Sequence, residues 1–219
     1  MIDSSTGISE VLSHPFFAKK APLILASGST ARQELLRQSR VPFIVQTADI
    51  DEGYFKEEGR RENTDISQVA LTLARAKAEA VAKEHGDPAA YIIGADQMLG
   101  CEGEWFDKPG SLHAAEKQLL RLRGHTHHLY SAVVLYQGGK IVWTHLARPA
   151  LTMRSFSDAF LRAYLACEGE ALLGCVGAYR LEGLGIQLFS HIEGDHSAIL
   201  GLPLLPLLAA LRDFGVIGG

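Results

Sequence analysis

Short uninterrupted apolar runs alternate along the chain with longer segments whose apolar residues recur at helical spacing. "LILA", following Pro22, suits a buried strand, and "TARQELLRQSR" then puts Leu35 and Leu36 on one side of a helix. "VPFIVQT" predicts a second strand, which ends at the acidic group Asp49-Ile50-Asp51-Glu52. "ENTDISQVALTLARAKAEAVAKEHG" carries the strongest helical pattern, with Val69, Leu73 and Ala76 on one face and Gly86 as its stop. "AAYIIGADQML" predicts another buried strand. "SLHAAEKQLLRLRGH" predicts a helix capped by Ser111 and stopped by Gly124.

The second half begins with a long hairpin, "HHLYSAVVLYQGGKIVWTHLARPALTMRSF", turning at Gln137-Gly138-Gly139-Lys140. "SDAFLRAYLACEG" follows as a helix capped by Ser157. "LPLLPLLAALRDFG" is apolar nearly all round, which suits a helix buried in the core or in an oligomer interface. Alternating strands and helices interrupted by a hairpin favour a mixed α/β sheet over a purely parallel one. Residues 1–20 read as a loosely attached extension, and residues 21–219 as a single α/β domain.

Composition narrows the choice of partners. The 219 residues are 47% hydrophobic and 21% charged, with a net charge of −4. These are globular proportions without the basic field that a nucleic-acid polymer requires. The three cysteines, Cys101, Cys167 and Cys175, are odd in number and form no C-x-x-C pair, which favours reduced thiols over a disulfide framework or zinc ribbon. The first residues lack a secretory apolar core, and no run is long enough for a membrane span, so the expected location is cytoplasmic.

Several segments carry candidate chemistry. In "ASGSTAR", small hydroxyl and glycine residues hand a strand to a helix. A helix N-terminus offers unpaired N–H groups and positive potential, so Ser27, Ser29 and Arg32 could seat phosphate, or Ser29 or Thr30 could simply cap the helix. Asp96 ends a strand where open α/β sheets bind ligands; it either opens a loop or holds a cation or water. Asp49, Asp51 and Glu52 could share that cation or form a solvated turn. Lys77 and Lys108 could neutralise phosphate or face solvent. Glu182, in "YRLEGLG", could accept from the N–H edge of a guanine or be solvated. The histidines of "GHTHHLY" read best as exposed imidazoles at a strand edge, because no zinc motif surrounds them.

Taken together, "LILASGSTARQELL", "DIDE", "LARAKA", "GADQMLG…DKP" and "GAYRLEGLG…IEGDHSAILGLPLLPL" resemble, in order and spacing, the Maf family of nucleoside triphosphate pyrophosphatases. The likeness runs from Pro22 to Gly215. Thr30 and Ala31 depart from the family's usual Ser-x-Ser-Pro-Arg-Arg, and Arg32 keeps one basic position. The resemblance implies an elongated mixed sheet flanked by helices, two lobes around a central cleft, and commonly a homodimer. It implies hydrolysis of a nucleoside triphosphate to a monophosphate and diphosphate with Mg²⁺ or Mn²⁺. Ser27, Ser29 and Arg32 would contact phosphate; Glu52 and Asp96 would hold metal, with Asp96 the proton acceptor; Lys77 and Lys108 would balance charge. Gln97, after Asp96, together with Glu182, looks like the branch acting on 7-methyl-GTP rather than on dTTP and UTP. A pyrophosphatase for deaminated purine nucleotides and a non-catalytic regulator of septum formation are the competing readings. The joint presence of Glu52, Lys77, Asp96 and Lys108 favours an enzyme.

Overall fold

The apolar run after Pro22 forms β1 (Leu23–Leu25), and its side chains divide by parity. Leu23 and Leu25 enter one apolar cluster, while Ile24 enters the cluster on the opposite face. The computed structural model describes residues 21–218, so the expected extension over residues 1–20 lies outside the described residues. After β1 come α1 (Thr30–Gln38), β2 (Ile44–Val45), α2 (Glu52–Arg61), α3 (Ile66–His85), β3 (Tyr91–Cys101) and β4 (Glu104–Phe106). Next are α4 (Leu112–Leu122), β5 (Thr126–Gln137), β6 (Lys140–Ala147), β7 (Ala150–Met153) and α5 (Asp158–Glu168). Short 3₁₀ turns between residues 169 and 188 lead to β8 (Phe189–Glu193), α6 (His196–Ile199) and α7 (Leu204–Asp213).

The eight strands form one sheet in the order β2-β1-β3-β5-β7-β8, with β4 also on β3 and β6 also on β5. β1 runs parallel to β2 and β3, and every other pairing is antiparallel. The sheet is therefore mixed, as the interrupted strand–helix pattern predicts. β3 and β5 pair along most of their lengths and run through both lobes. In the first lobe α3 covers one sheet face, and α1 and α7 cover the other. The second lobe packs α4, α5 and the 3₁₀ turns against the far ends of β3 and β5 and against β7. No described helix is long and apolar enough to cross a membrane.

Local chemistry sets most boundaries. The Ser29, Ser111 and Ser157 hydroxyls accept from the backbone N–H groups of Arg32, Ala114 and Phe160, so each serine caps its helix. Gly86 ends α3 in the left-handed conformation at φ 75°. The hairpin turns where expected, with Gln137 opposite Lys140.

Four expectations need correction. Asp96 does not end a strand or open a loop: it lies in the middle of β3, opposite Ala132, because the pairing with β5 continues through Gly100. The acidic cluster leads into a helix, α2, that the hydrophobic pattern does not predict, because its large apolar residues, Tyr54 and Phe55, are neighbours in sequence and Gly59 is its one buried residue. α3 buries Val69, Leu73, Lys77 and Val81, while Ala76 lies off this stripe. α7 buries Leu207, Ala210 and Leu211 in the core, as its apolar pattern predicts, and leaves Leu205 70% exposed. His127 is fully buried rather than exposed at a strand edge, because Tyr179 and Phe189 of the second lobe cover it. Its Nε2 lies 2.9 Å from the Tyr179 hydroxyl. Burial, reinforced by His128, pushes its pKa down to about 3, so the ring is neutral at physiological pH.

The tightest layer contact lies at Gly94 in β3. A Cβ there would stand 2.1 Å from the Ala74 carbonyl oxygen and 2.9 Å from the Ala78 Cβ. The helix backbone thus rests directly on the strand, with Lys77 one turn beyond Ala74 and Asp96 next on the same face of β3 as Gly94. Gly94→Ala is expected to destabilise the fold by about 3 kcal/mol through overpacking. Chemical denaturation measures this, and an unchanged midpoint would show that α3 withdraws from the sheet freely.

Candidate active site

A cleft of about 680 Å³ opens between the lobes. The β1–α1 junction and α2, α3 and β3 supply one wall, while the 3₁₀ turns and the loop after α6 supply the other. Among the residues singled out from the sequence, Ser27, Ser29, Arg32, Glu52, Lys77, Asp96, Gln97, Lys108 and Glu182 all line it. Asp51 instead caps α2 by accepting from the Tyr54 N–H, and Asp49 is exposed. Among the described residues, no group of three or more His, Cys, Asp or Glu side chains is arranged to hold a metal.

The centre of the cleft is an ion triad. The Lys77 ammonium lies 2.6 Å from Asp96 Oδ1 and 2.7 Å from Glu52 Oε1. α3 delivers the lysine, β3 the aspartate and the first turn of α2 the glutamate. Asp96 is 5% exposed, and its Oδ2 is buried without a hydrogen-bond partner. Burial alone would raise the Glu52 pKa. The charge and hydrogen bond of Lys77, helped by Lys56 and Lys108, outweigh it and hold the carboxyl below its ordinary value.

The β1–α1 junction is a helix cap that also lines the cleft. Ser27 Oγ accepts from the Ser29 N–H at 3.3 Å and from Arg32 Nη1 at 3.1 Å. Ser29 Oγ accepts from the Arg32 N–H. The N–H groups of Thr30 and Ala31 stay at the open end of the helix, where both residues line the cleft. Arg32 is buried, and its Nε donates to the Gly201 carbonyl at 2.7 Å. Gly201 has φ +99°, and a Cβ on it would press to 3.2 Å from that nitrogen. Burial pulls the Arg32 guanidinium below its usual pKa range, against the opposing pull of Asp96 and Glu52.

The other end of the cleft differs in character. Leu129, Val176, Leu181, Ile199 and Leu200 provide apolar walls beside the Glu182 carboxylate. Arg180 Nε lies 3.6 Å from Glu182 Oε1, and its Nη1 lies 3.3 Å from Glu168 Oε2. Glu168 Oε1 also accepts from the Leu184 N–H at 3.0 Å, which ties this loop to the end of α5. Two carboxylates thus share one guanidinium, leaving a net negative charge. The Gln97 amide nitrogen donates to Ser131 Oγ and to the Ala198 and Ile199 carbonyls at 2.8–3.1 Å, joining β3 to α6.

Sequence reasoning misses Lys56, Arg180 and Glu168. Lys56 stands one helical turn after Glu52, a spacing that has meaning only once α2 is known to be a helix. Arg180 is two residues before Glu182, and that proximity is the one signal that points to it. Glu168 gives no sequence signal, since helix ends commonly carry glutamates.

The Maf-like protein family profile matches residues 22–214. The chain belongs to the Maf family. Similar members include a "Nucleoside triphosphate pyrophosphatase" from Gluconobacter oxydans (strain 621H), 51% identical over 195 residues, covering 89% of this chain and 96% of that protein. Another of the same name, from Rhodospirillum rubrum, is 47% identical over 196 residues, 90% of this chain and 96% of that protein. A "7-methyl-GTP pyrophosphatase" from Mesorhizobium japonicum is 43% identical over 197 residues, 90% of this chain and 98% of that protein.

The triad in this Maf protein makes a pH-dependent prediction. Glu52 titrates lower when folded than its ordinary 4.5, so its stabilising effect is full above that pH and fades as pH falls through the folded value. Lys77→Met removes the counter-charge and leaves two neighbouring carboxylates to ionise together. The expected cost is about 3 kcal/mol at pH 7, shrinking near about pH 5 as the carboxyls take up protons. Denaturation at both pH values tests this; an equal loss at each would mean that Lys77 acts through packing alone.

Proposed function

We propose that this Maf protein is a nucleoside triphosphate pyrophosphatase that converts an NTP and water to an NMP and diphosphate, with 7-methyl-GTP as its preferred substrate. The observation that carries the reaction is Asp96: one oxygen is fixed by Lys77, and the other is buried and unpartnered in a residue that lines the cleft. Oδ2 takes a proton from water as the water oxygen attacks the α-phosphorus. The bond from that phosphorus to the bridging oxygen breaks, and its electron pair leaves with diphosphate. Lys77 fixes the orientation of Asp96 through its hydrogen bond to Oδ1. The N–H groups at the start of α1, with Ser27, Ser29, Arg32 and Lys108, bind the phosphate chain, since such transfers depend mainly on positioning and charge neutralisation.

The residues present fit a divalent cation. Glu52 and Asp96 are hard oxygen donors, and Asp96 Oδ2 is an uncompensated buried acceptor. Mg²⁺ or Mn²⁺ commonly takes one or two carboxylates together with substrate phosphate oxygens. Glu52 and Asp96 would hold the ion, which when bound neutralises phosphate charge. Each carboxylate oxygen offers two lone pairs, so serving Lys77 or an ion does not exhaust Asp96.

The base assignment rests on Glu182. Guanine methylated at N7 is cationic, and the surplus negative charge shared by Glu168, Arg180 and Glu182 favours it over the neutral base. The Glu182 carboxylate can also accept from the guanine N1 and N2 donors. The name of the Mesorhizobium relative agrees with this choice. Gln97, which also lines the cleft, acts here by fixing the wall that Ile199 and Leu200 present to the base.

Diphosphate release from a panel of 7-methyl-GTP, GTP, dTTP, UTP and ITP with Mg²⁺ or Mn²⁺ tests the whole reading. Asp96→Asn is expected to lower kcat by about 10²–10⁴-fold while the chain stays folded by circular dichroism. No release from any substrate would favour a non-catalytic role in cell division. Glu182→Gln is expected to cut the preference for 7-methyl-GTP over GTP about tenfold, as a charge contact is lost. A higher kcat/KM for dTTP or UTP than for 7-methyl-GTP would overturn the base assignment alone.

A further inference from the structure

Most cations in the cleft are already committed to the protein. Lys77 is held between two carboxylates, Arg32 donates to Gly201 and Ser27, and Arg180 faces Glu168 and Glu182. Lys56 is different. It lines the cleft from α2, one turn beyond Glu52, with its side chain 15% exposed. Its Nζ donates to Asp107 Oδ1 at 2.7 Å, and Arg60 Nη2, one turn further along α2, donates to Asp107 Oδ2 at 2.9 Å. The Asp107 carbonyl accepts from Gln118 Nε2 at 2.8 Å, which anchors this loop to α4.

Asp107 is thus a bracket outside the cleft that fixes the direction of a lysine inside it. An ammonium has three N–H donors, and this contact uses one. Lys108, next in sequence to the bracket, lines the cleft as well. Asp107 pairs with two cations, so Lys56 is only partly neutralised. A polyphosphate is the partner that such a half-compensated, pre-aimed ammonium suits, because phosphate oxygens accept charge-assisted hydrogen bonds without displacing Asp107.

We propose that Lys56 is an additional contact for the substrate's phosphate chain, and that Asp107 is its positioning residue. This rests on the pyrophosphatase reading for its biological meaning, but it can be tested without turnover. Binding of inorganic tripolyphosphate to the full chain, measured calorimetrically in EDTA, is expected to weaken about tenfold or more in Lys56→Met and by no more than about threefold in Lys56→Arg, which keeps the charge. Affinity for the nucleoside monophosphate is expected to stay within about twofold of wild type, because it lacks the outer phosphates. In steady state, Asp107→Asn is expected to raise the KM of the best NTP several-fold with kcat largely kept, because the lost bracket loosens the aim of a binding group and leaves the reacting atoms in place. Tripolyphosphate binding to Lys56→Met as tight as to wild type overturns the proposal, and an unchanged KM in Asp107→Asn overturns the bracket. Binding that depends on Lys56 in a chain that releases no diphosphate from any NTP upholds this contact and sinks the pyrophosphatase reading instead.

Discussion

The pairing of Lys77 with Asp96 and Glu52 is the constraint on which the rest of the site depends. A buried ammonium needs compensation, and here the compensating carboxylates come from two other elements. The triad therefore fixes the relative placement of α2, α3 and β3. Gly94 makes the arrangement possible, because only a residue without a side chain lets the α3 backbone lie against β3. Had α3 been held further off, the lysine could not reach between the acids and Asp96 would be a buried charge without a partner. Sheet packing and the geometry of the triad are thus one requirement, met by a single close approach.

The cleft is polar in a second sense, along its length. Its first-lobe end combines open N–H groups at the start of α1 with lysines, while its second-lobe end combines apolar walls with a surplus of carboxylate. A nucleoside triphosphate has the matching asymmetry, a strongly anionic chain at one end and a flat ring at the other. The overall charge of −4 hides this division, since the positive potential is confined to a few placed groups. That is also why composition argues against a nucleic-acid polymer without arguing against phosphate.

Much of the fold is legible in the sequence. β1, α3, β3 and the hairpin announce themselves by apolar runs, capping residues and glycine turns, all of which are local signals. The residues of "ASGSTAR", "GADQ" and "DKP" meet at the cleft because β1 stops at Leu25, opposite Ile93, while β3 runs on past it and carries Asp96 in mid-strand beside the β1–α1 junction. What the sequence hides is non-local. α2 offers only the neighbouring Tyr54 and Phe55 as large apolar residues and docks through Phe55, Gly59 and ion pairs with Lys77 and Asp107, so periodicity does not show it and Lys56 carries no signal of its own. His127 resembles an exposed imidazole because nothing near it in sequence reveals that Tyr179 and Phe189 cover it. Lys77 has the pattern of a counter-charge for phosphate, yet its first partners are the two acids, which reach it from other elements.

The departure from the family's usual Ser-x-Ser-Pro-Arg-Arg takes on a physical meaning in this setting. Thr30 and Ala31 give up the proline and one arginine, and the arginine that stays, Arg32, is turned inward to Gly201 and Ser27. Arg32 therefore ties the start of α1 to the loop before α7, closing the first lobe behind the proposed phosphate seat. Small residues at 30 and 31 keep the helix start open, so backbone N–H groups rather than a second guanidinium meet the ligand there. Positive charge must then come from elsewhere on the rim. The groups that can bring it are Lys56, held by Asp107, and Lys108, the neighbour of that bracket. A substitution that removes charge at the start of α1 thereby makes these lysines matter more, and the seat becomes a joint property of α1 and α2 rather than of one motif.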